Sequence, residues 1–348
     1  MINIKQIESY IRNISGRELL GINISTLGTG VHGRGYLIET STSEGSVNYV
    51  LKRLFADGLE HDYPSDRAGV FLLDLDDFNL LPRHVKAIDV LAEAPDGQIK
   101  PIGGGKEYYL LMEKGEGKDY FSDLDELGEK QGLDKIDIRK IDTLTSYLAE
   151  IHSVKKISRQ LYRRKIRDTI GHGECLMGVF DSYPDGCIED AEIERIEQKC
   201  ISWRLKIRRR EERLCQVHGD FHPGNILFKD NQDIVLLDRS RGPWGDAADD
   251  VTALTMNYIF WSINIFGRVK GPYLEALQLF YNTYIEKSGD RDLCGVAAPF
   301  YAFRGAVVAN PAFYPEVADG SRKKIFRFIN NVLDDKAFYP DRVNEYLK

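Results

Sequence analysis

The sequence predicts an α+β fold with two lobes, a small strand-rich N-terminal lobe followed by a larger helical lobe. Residues 22–54 combine apolar stretches with turn-prone segments, a pattern typical of strands. Beyond residue 118 the apolar residues recur mainly at helical spacing. The length of 348 residues points the same way, because a single hydrophobic core rarely serves more than about 250–300 residues.

The N-terminal lobe is predicted to contain a β-hairpin. Residues 36–40 (YLIET) and 47–52 (VNYVLK) have strand composition, and the stretch between them, STSEGS, favours a turn. Ser65 is a suitable N-cap for a helix over about residues 66–81, which Pro82 would end. The lobe therefore begins with paired strands and continues into a helix.

The boundary between the lobes is predicted after residue 113. Residues 108–113, YYLLME, have the composition of a buried strand. The spacer KGEGK follows and interrupts the apolar pattern, as connections between compact units do. We therefore assign residues 1–113 to the N-terminal lobe and residues 114–348 to the C-terminal lobe.

The C-terminal lobe is predicted to be mostly helical, with one short hairpin. Residues 138–154 and 189–212 have the apolar spacing of amphipathic helices. Residues 225–228 and 234–238 have strand composition on either side of the polar turn KDNQD. The most apolar window, residues 251–266, contains Thr, Asn and Ser and is shorter than the ~20 residues that span a bilayer. It predicts a buried core helix, and no membrane association is expected.

The composition disfavours several classes of protein. The formal net charge of −7 argues against a dedicated nucleic-acid-binding protein. The five cysteines are an odd number without CxxC spacing, so neither a disulfide framework nor a cysteine-rich zinc site is expected. The first residues, MINIKQIESYIRN, do not have the pattern of a signal peptide. A cytoplasmic protein is therefore expected, and its oligomeric state is left open.

The segment VHGDFHPGNILF, residues 217–228, concentrates polar side chains between apolar ends. It has three interpretations: a metal site, a catalytic loop or a polar turn. As a loop for phosphoryl transfer, it offers Asp220 as the carboxylate that orients an attacking hydroxyl, and Asn225 as a ligand of Mg²⁺. Asp238, at the end of the next predicted strand, offers a second ligand, since Mg²⁺ prefers hard oxygens.

A zinc site through His218 and His222 is the less favoured interpretation. The two histidines are four residues apart, but Pro223 and Gly224 break any helix that would align their rings. No third His or Cys ligand is close in sequence, whereas structural zinc sites need four ligands.

These motifs resemble those of the aminoglycoside phosphotransferase and choline kinase group, which has a protein-kinase-like fold. The resemblance is carried by HGDFHPGNIL at 218–227, LLD at 236–238 and GDAADDV at 245–251. The family pattern in the third segment is Gly-Asp-Pro-x-x-Asp-Leu, and the chain departs from it at Ala247 and Val251.

The resemblance implies a role for each matching position. Asp220 would be the catalytic base, and Asn225 and Asp238 would bind magnesium. Asp250, the last Asp of the third segment, would brace the catalytic loop, and His218 would have a structural hydrogen-bonding role. The implied two-lobed kinase-like fold agrees with the strand-rich and helical halves of the sequence.

The nucleotide is expected in the N-terminal lobe. Gly28, Gly30 and Gly33 have GxGxxG spacing, but a hairpin follows them, whereas in a dinucleotide-binding fold a helix would follow. A hairpin suits a kinase-like Gly-rich loop, whose backbone N–H groups approach the phosphates of ATP. Lys52 on the second strand fits the lysine that contacts the α- and β-phosphates. The alternative is an ordinary exposed lysine at a strand end.

In kinase-like folds that lysine pairs with a Glu of the following helix, and here the predicted helix offers only Asp. Asp66, at the helix start, is the first choice of partner and Asp74 is the second. Glu60 is a further choice if the helix begins earlier. Adenine would be held by backbone groups of the hinge at Met112 and Glu113.

Three features have competing interpretations. Asp246 and Asp249 are either solvated or face a cationic substrate. The basic runs 155–167 and 204–213 are either helix faces paired with nearby acids or a contact for an anionic substrate or partner. His152, in the stretch LAEIH, is interpreted as a structural histidine.

The sequence as a whole predicts an ATP- and Mg²⁺-dependent phosphotransferase whose acceptor is a hydroxyl of a small molecule, such as an aminoglycoside, an amino alcohol or a sugar. One alternative is a nucleotide-binding regulatory module without turnover. Another is a kinase of protein Ser or Thr, although the closeness of Gly245 to Asp238 leaves no room for a long activation segment. A dinucleotide-binding oxidoreductase is disfavoured by the hairpin after the glycines.

Overall fold

The chain forms two compact units, Met1–Met112 and Glu113–Lys348. The predicted boundary, after residue 113, lies one residue further along. The smaller unit contains an antiparallel sheet and the larger unit is mostly helical, so the predicted α+β organisation of a small strand-rich lobe and a larger helical lobe is confirmed. The computed structural model describes residues 4–16, 18–29, 33–56, 61–78, 85–105, 114–230, 232–239 and 241–348.

The N-terminal unit is built around a three-stranded antiparallel sheet in the order β1-β2-β3. Its elements are α1 (Ile4–Ser15), β1 (Leu19–Thr29), β2 (Gly33–Thr42), β3 (Gly45–Leu54), α2 (Pro64–Phe78), β4 (Leu91–Glu93) and β5 (Ile99–Pro101). The predicted hairpin is confirmed, since β2 pairs with β3 from Gly33 opposite Leu54 to Thr42 opposite Gly45. Helix α1 buries Ile7 and Ile11, one turn apart, against Leu19 and Ile38 of the sheet.

The helix predicted over residues 66–81 is α2, which begins two residues earlier at Pro64. A proline is well tolerated at the first helical position, because its missing N–H would have no partner there. The predicted stop at Pro82 and the predicted strand over residues 108–113 both lie outside the described residues.

The C-terminal unit contains the two amphipathic helices expected from the sequence, as α4 and α7. Its elements are β6 (Lys118–Asp119), α3 (Tyr120–Leu127), α4 (Lys135–Ser153), α5 (Arg159–Gly171), α6 (Leu176–Asp181), α7 (Asp190–Ile207), β7 (Cys215–Gln216), β8 (Ile226–Phe228), β9 (Ile234–Leu236), β10 (Trp244–Gly245), α8 (Ala247–Phe266), α9 (Pro272–Ser288), α10 (Ala298–Ala309) and α11 (Asp319–Asp334). Short 3₁₀ turns connect several of them.

Helix α8 is the buried core helix predicted from the apolar window. Nearly all of its side chains from Ala247 to Ile263 are buried, which explains why the window has no polar face. Asp246 caps its N-terminus by accepting from Ala248 N–H, and Gly267 ends it with φ 70°. Among the helices of the described residues, none is long and apolar enough to cross a membrane.

A small antiparallel sheet, in the order β6-β8-β9, positions the segment VHGDFHPGNILF. The predicted polar hairpin is confirmed, with Ile226 opposite Leu236 and Phe228 opposite Ile234. Lys229 N–H donates to Asp233 C=O across the turn at 3.0 Å. Residues 217–225 therefore form a loop between β7 and β8, next to the start of α8.

Candidate active site

The first turn of α8 holds the backbone of the loop 217–225 through hydrogen bonds. The buried carboxylate of Asp250 accepts from the backbone N–H groups of His218 and Gly219, both at 2.7 Å. It also lies 3.0 Å from His152 Nε2, and His152 Nδ1 lies 2.7 Å from Tyr284 Oη. Both ring nitrogens of His152 are thus engaged, as expected of a structural histidine. Asp250 therefore holds the backbone of the loop at His218 and Gly219.

The two histidines of the loop order its backbone. His218 Nδ1 accepts from Asp220 N–H at 3.3 Å, and His222 Nδ1 accepts from Gly224 N–H at 3.1 Å. In the described part of the chain, no three His, Cys, Asp or Glu side chains gather in an arrangement that could hold a metal ion. The described geometry therefore gives both histidines a structural task and offers no support for a zinc site.

Asp220 is buried and meets two guanidinium groups on one of its oxygens. Its Oδ1 lies 2.5 Å from Arg304 Nη1 and 3.1 Å from Arg241 Nη1. Its Oδ2 faces His222 Nε2 at 3.9 Å, which is too long for a hydrogen bond. With Oδ1 bound to both arginines, Oδ2 is the less engaged of the two carboxylate oxygens.

The arginines also determine the charge of Asp220. Burial acts to raise the pKa of this carboxyl, but Arg304, Arg241 and His222 outweigh burial and hold the pKa below its usual value. Burial, together with the two arginines, lowers the pKa of His222. At neutral pH the site therefore holds an ionised Asp220 beside a neutral His222.

Asn225 and Asp238 are brought together by the hairpin. Asn225 Nδ2 donates to Asp220 C=O at 3.0 Å, which turns the amide oxygen of Asn225 away from that carbonyl. Asn225 C=O accepts from Leu237 N–H at 2.9 Å, and Asp238 is the next residue. Asp238 has φ 49°, an uncommon conformation for a residue other than glycine, which often marks a functional position. An amide oxygen and a carboxylate at neighbouring backbone positions are the hard donors that fit Mg²⁺.

The sequence analysis expected Asp246 and Asp249 to be solvated or to face a cationic substrate, but both are buried in internal ion pairs. They are 0% and 1% exposed. Asp246 binds Arg213 through two hydrogen bonds of 2.8 and 2.9 Å and accepts from Tyr162 Oη at 2.9 Å. The segment GDAADDV begins the buried helix α8, so its carboxylates need internal cations.

Asp249 is neutralised by two cations from distant parts of the chain. Its carboxylate lies 2.5 Å from Lys165 Nζ and 2.8 Å from Arg304 Nη2. Burial opposes ionisation, but Lys165 and Arg304 outweigh it and lower the pKa of Asp249 to about 2. Arg304 therefore joins Asp249 to Asp220.

This ion pair makes stability depend on pH in the acid range. The pKa of Asp249 falls from 3.8 to about 2 on folding. The ionised carboxylate therefore contributes fully to the free energy of unfolding above about pH 4, and this contribution is lost as the pH falls towards 2. The contribution amounts to roughly 2 kcal/mol. We expect Asp249→Asn to show a smaller loss of unfolding free energy between pH 5 and pH 3 than the wild type, in urea titrations at fixed pH. Parallel loss in both proteins would contradict this assignment.

Several residues of the basic runs 155–167 and 204–213 pair with acids, which is the first of the two interpretations given for these runs. Lys165 and Arg213 neutralise the buried acids of α8, and Arg159 pairs with Glu211 at 3.0 Å on the surface. Arg210 pairs with Asp292 at 2.8 Å. The acids are partly distant in sequence, so the pairs are tertiary contacts and not only contacts within one helix face.

In the N-terminal unit, Gly33 and Gly28 have different surroundings. A Cβ on Gly33 would collide with the carbonyl oxygen of Arg53 on the neighbouring strand, whereas the space around Gly28 is open. Close backbone packing alone therefore requires a glycine at position 33. The open space at Gly28 is compatible with a ligand. Gly30 lies outside the described residues.

The first choice of partner for Lys52 was wrong. Lys52 Nζ lies 3.7 Å from Asp74 Oδ2, whereas Asp66 accepts from Tyr63 N–H at 2.8 Å at the start of α2. Because α2 begins at Pro64, Asp66 falls in the first turn, where carboxylates bind free backbone N–H groups. The Lys52 side chain is 56% exposed, so this pair is a weak one. Glu60, Met112 and Glu113 lie outside the described residues.

Arg241 and Arg304 were missed by the sequence analysis. Arg304 interrupts the apolar helix α10, APFYAFRGAVVA, and a single arginine among buried positions signals a buried carboxylate. Arg241 lies three residues after Asp238 in a stretch that contains two arginines. Nothing in that stretch of sequence distinguishes Arg241, which contacts Asp220, from Arg239, which donates to Val217 C=O.

The chain belongs to the phosphotransferase enzyme family, since the sequence model of that family (APH) matches residues 23–285. The matched region contains the glycine-rich hairpin, the loop 217–225, the β8–β9 hairpin and α8. No curated protein matches the sequence.

Several solved structures resemble the chain. Amicoumacin kinase hAmiN in complex with AMP-PNP, Ca²⁺ and Ami is 13% identical, with 97% of each chain covered and a TM-score of 0.43. Plasmodium vivax ethanolamine kinase is 10% identical, with 100% of this chain and 82% of that chain covered and a TM-score of 0.37. A thermostable mutant of aminoglycoside phosphotransferase APH(4)-Ia with AMP-PNP and hygromycin B is 14% identical, with 92% and 98% covered and a TM-score of 0.39. Likeness at this level does not fix an acceptor.

Proposed function

We propose that the protein transfers the γ-phosphoryl group of ATP, in the presence of Mg²⁺, to a hydroxyl group of a small molecule. The observation that carries the proposal is the arrangement of Asp220, Asn225 and Asp238. One hairpin places Asn225 and Asp238 at neighbouring positions, and the Asn225 side chain binds the backbone of Asp220. Phosphoryl transfer needs this combination of a hydroxyl-orienting carboxylate and oxygen ligands for the metal.

In the proposed reaction, Oδ2 of Asp220 receives the acceptor hydroxyl. The acceptor oxygen forms a bond to the γ-phosphorus while the bond between that phosphorus and the bridging β–γ oxygen breaks, so ADP leaves. The hydroxyl proton passes to Asp220 late in the transfer. Most of the acceleration would come from positioning and electrostatic stabilisation, because the transferred group is loosely bonded in the transition state.

Asn225 and Asp238 would hold Mg²⁺, which neutralises charge on the β- and γ-phosphates when bound. The phosphates would lie against the glycine-rich segment that contains Gly28, Gly30 and Gly33. Lys52 would contact the α- and β-phosphates, with Asp74 as its partner. In the same proposal, backbone groups of Met112 and Glu113 would bind adenine.

A cytoplasmic location is part of the proposal. The five cysteines all carry free thiols, which fits a reducing compartment. The partner is a small hydroxyl compound, and neither nucleic acid nor a membrane enters the proposed activity.

The proposal is tested by Mg²⁺-dependent ADP release across aminoglycosides, choline, ethanolamine, sugars and homoserine. We expect at least one acceptor to stimulate turnover, and we expect Asp238→Ala to weaken Mg²⁺-dependent ATP binding at least roughly 100-fold, since even indirect metal contacts are worth about 10–100-fold. Asp233→Ala is the matched control, because Asp233 is an exposed acid of the same hairpin whose lysine partner lies 3.6 Å away. It should leave ATP binding unchanged.

Two outcomes separate the alternatives. If the wild type does not bind ATP even with Mg²⁺, the phosphotransferase proposal is wrong. If it binds ATP but no acceptor raises ADP release above that of Asp238→Ala, the protein is better described as a nucleotide-binding regulatory module.

A further inference from the structure

The charged side chains around Asp220 form an alternating series. Lys165, Asp249, Arg304, Asp220 and Arg241 contact one another in that order, each within 3.1 Å of the next. Three cations thus face two carboxylates. The inner cation, Arg304, is shared between the two acids, so the excess positive charge lies at the ends of the series, on Lys165 and Arg241. Of these two side chains, Lys165 is buried at 8% exposure and Arg241 is the more exposed at 18%.

Arg241 has little further neutralisation in the described part of the chain. Glu174 Oε2 lies 3.9 Å from Arg241 Nε, beyond hydrogen-bond distance, and the Glu174 side chain is 59% exposed to solvent. The Nε atom of Arg241 is buried without a hydrogen-bond partner among the described residues. A buried donor of this kind normally finds a partner, so the contacts within the described residues do not fully satisfy the guanidinium of Arg241.

The guanidinium of Arg241 is held in place and is still accessible. It lies 5.2 Å from the centre of the Phe303 ring and 3.1 Å from Asp220 Oδ1, and its stem packs against Gly219, which has φ 89°. The side chain is 18% exposed, so the guanidinium is not sealed inside the protein. A fixed, planar guanidinium suits recognition of a carboxylate or phosphate through two hydrogen bonds.

A series of aromatic rings begins at His222, whose Nε2 lies 3.9 Å from Asp220 Oδ2. Phe121 stacks on His222 and on Trp261, and Phe260 contacts both Trp261 and Tyr314. Burial, and to a smaller extent the carboxylate of Asp220, raises the pKa of Tyr314. Apolar rings lower the local dielectric response, so charges beside them interact more strongly than in water.

We propose that the acceptor carries an anionic group, a carboxylate or a phosphate, close to the hydroxyl that is phosphorylated, and that Arg241 binds this group. The inference rests on the proposed function, and it narrows the acceptor, which the sequence left as an aminoglycoside, an amino alcohol or a sugar. The acids that could have faced a cationic acceptor, Asp246 and Asp249, are used in internal ion pairs.

The test compares acceptors in pairs that differ in one anionic group. Glycerate is paired with glycerol, gluconate with glucose, and glucose 6-phosphate with glucose, while ethanolamine and choline represent cationic acceptors. We expect at least one anionic member to have a kcat/KM more than 10-fold that of its neutral counterpart. Success with hydroxy acids or with the sugar phosphate distinguishes the carboxylate from the phosphate.

Arg241→Gln separates recognition of the acceptor from support of Asp220. Loss of a charged hydrogen bond should raise KM for the anionic member roughly 10–100-fold, with little change in KM for the neutral member. The ratio between the two members is the readout, because loss of the contact with Asp220 would lower kcat for both equally. Arg342→Gln is the matched control, since Arg342 pairs on the surface with Glu345 at 2.8 Å. Equal effects on both members would overturn the inference and leave Arg241 as a residue that supports Asp220.

A second readout does not depend on turnover. Inorganic phosphate and malonate are titrated calorimetrically into the full-length protein, with and without AMP-PNP and Mg²⁺. We expect binding of at least one anion that persists with nucleotide and is weakened at least 10-fold by Arg241→Gln but not by Arg342→Gln. Absence of anion binding, equal binding by both variants, or a preferred cationic acceptor would overturn the inference. Failure of the proposed function would appear instead as absent Mg²⁺-ATP binding.

Discussion

Asp220→Asn is expected to lower kcat by about 10²–10⁴-fold, the usual contribution of a positioned acid or base. The asparagine keeps the shape of the side chain but cannot take the proton of the acceptor hydroxyl. The loop itself should persist, because Asp250 holds the backbone N–H groups of His218 and Gly219 and is not altered. We therefore expect Mg²⁺-ATP binding close to that of the wild type, measured by calorimetry, together with nearly absent ADP release in the presence of acceptor.

The control for this variant is Asp230→Asn, in the turn of the β8–β9 hairpin. Asp230 is an exposed acid that accepts from Gln232 and Asp233 N–H groups, so its change should leave kcat unaltered. Retention of more than about a tenth of wild-type kcat by Asp220→Asn would show that Asp220 is not the base. Because Arg304 and Arg241 hold the pKa of Asp220 below 3.8, protonation of Asp220 should cause no loss of activity between pH 5 and pH 8.

The parts of the site that could be predicted from the sequence are those whose contacts are local. Asp220 and Asn225 lie in one short loop, and the side chain of Asn225 binds the backbone of Asp220 directly. Asp238 is separated from Asn225 only by a tight hairpin, whose two strands and polar turn are visible in the sequence. Two strand-like stretches separated by a turn signal are enough to predict that Asn225 and Asp238 lie close together.

The ion pairs could not be predicted, because their partners are far apart in sequence. Asp246 binds Arg213, and Asp249 binds both Lys165 and Arg304. The stretch GDAADDV alone does not predict that its carboxylates are buried against Lys165, Arg213 and Arg304. A buried carboxylate and a solvated one look alike in sequence, and only tertiary packing separates them.

The partner of Lys52 shows a second limit, which is that the start of a helix cannot be predicted to the residue. A shift of two residues in the start of α2 moves Asp66 into the capping turn, and Asp74, eight residues later, is the acid that pairs with Lys52 on β3. Helix ends are the least certain part of any prediction from sequence, since several capping residues compete. Here Asp62, Ser65 and Asp66 all precede the apolar pattern.

Arg213→Met is expected to lower the free energy of unfolding of the C-terminal unit by about 3–5 kcal/mol, the cost of leaving a buried charge without its partner. Arg213 donates two hydrogen bonds to Asp246 and two to Asp290. Asp290 is partly exposed and can be hydrated after the change, whereas Asp246 is fully buried and would keep only Tyr162 and Ala248 as donors. Urea unfolding of the variant measures the loss, and Arg342→Met, on the surface, should cost less than about 1 kcal/mol.

A double-mutant cycle distinguishes this charge effect from lost packing. Asp246→Asn in the Arg213→Met background removes the stranded charge, so the double variant should be more stable than Arg213→Met alone. The pH dependence of the stability of Arg213→Met is an independent test of the charge effect. Without Arg213, burial would raise the pKa of Asp246, so the folded variant would take up a proton more readily than the unfolded chain. Its deficit relative to the wild type should therefore shrink as the pH falls from 7 to 5. A deficit that is constant with pH, together with additive effects of the two substitutions, would mean that Arg213 stabilises the fold by packing and not by neutralising Asp246.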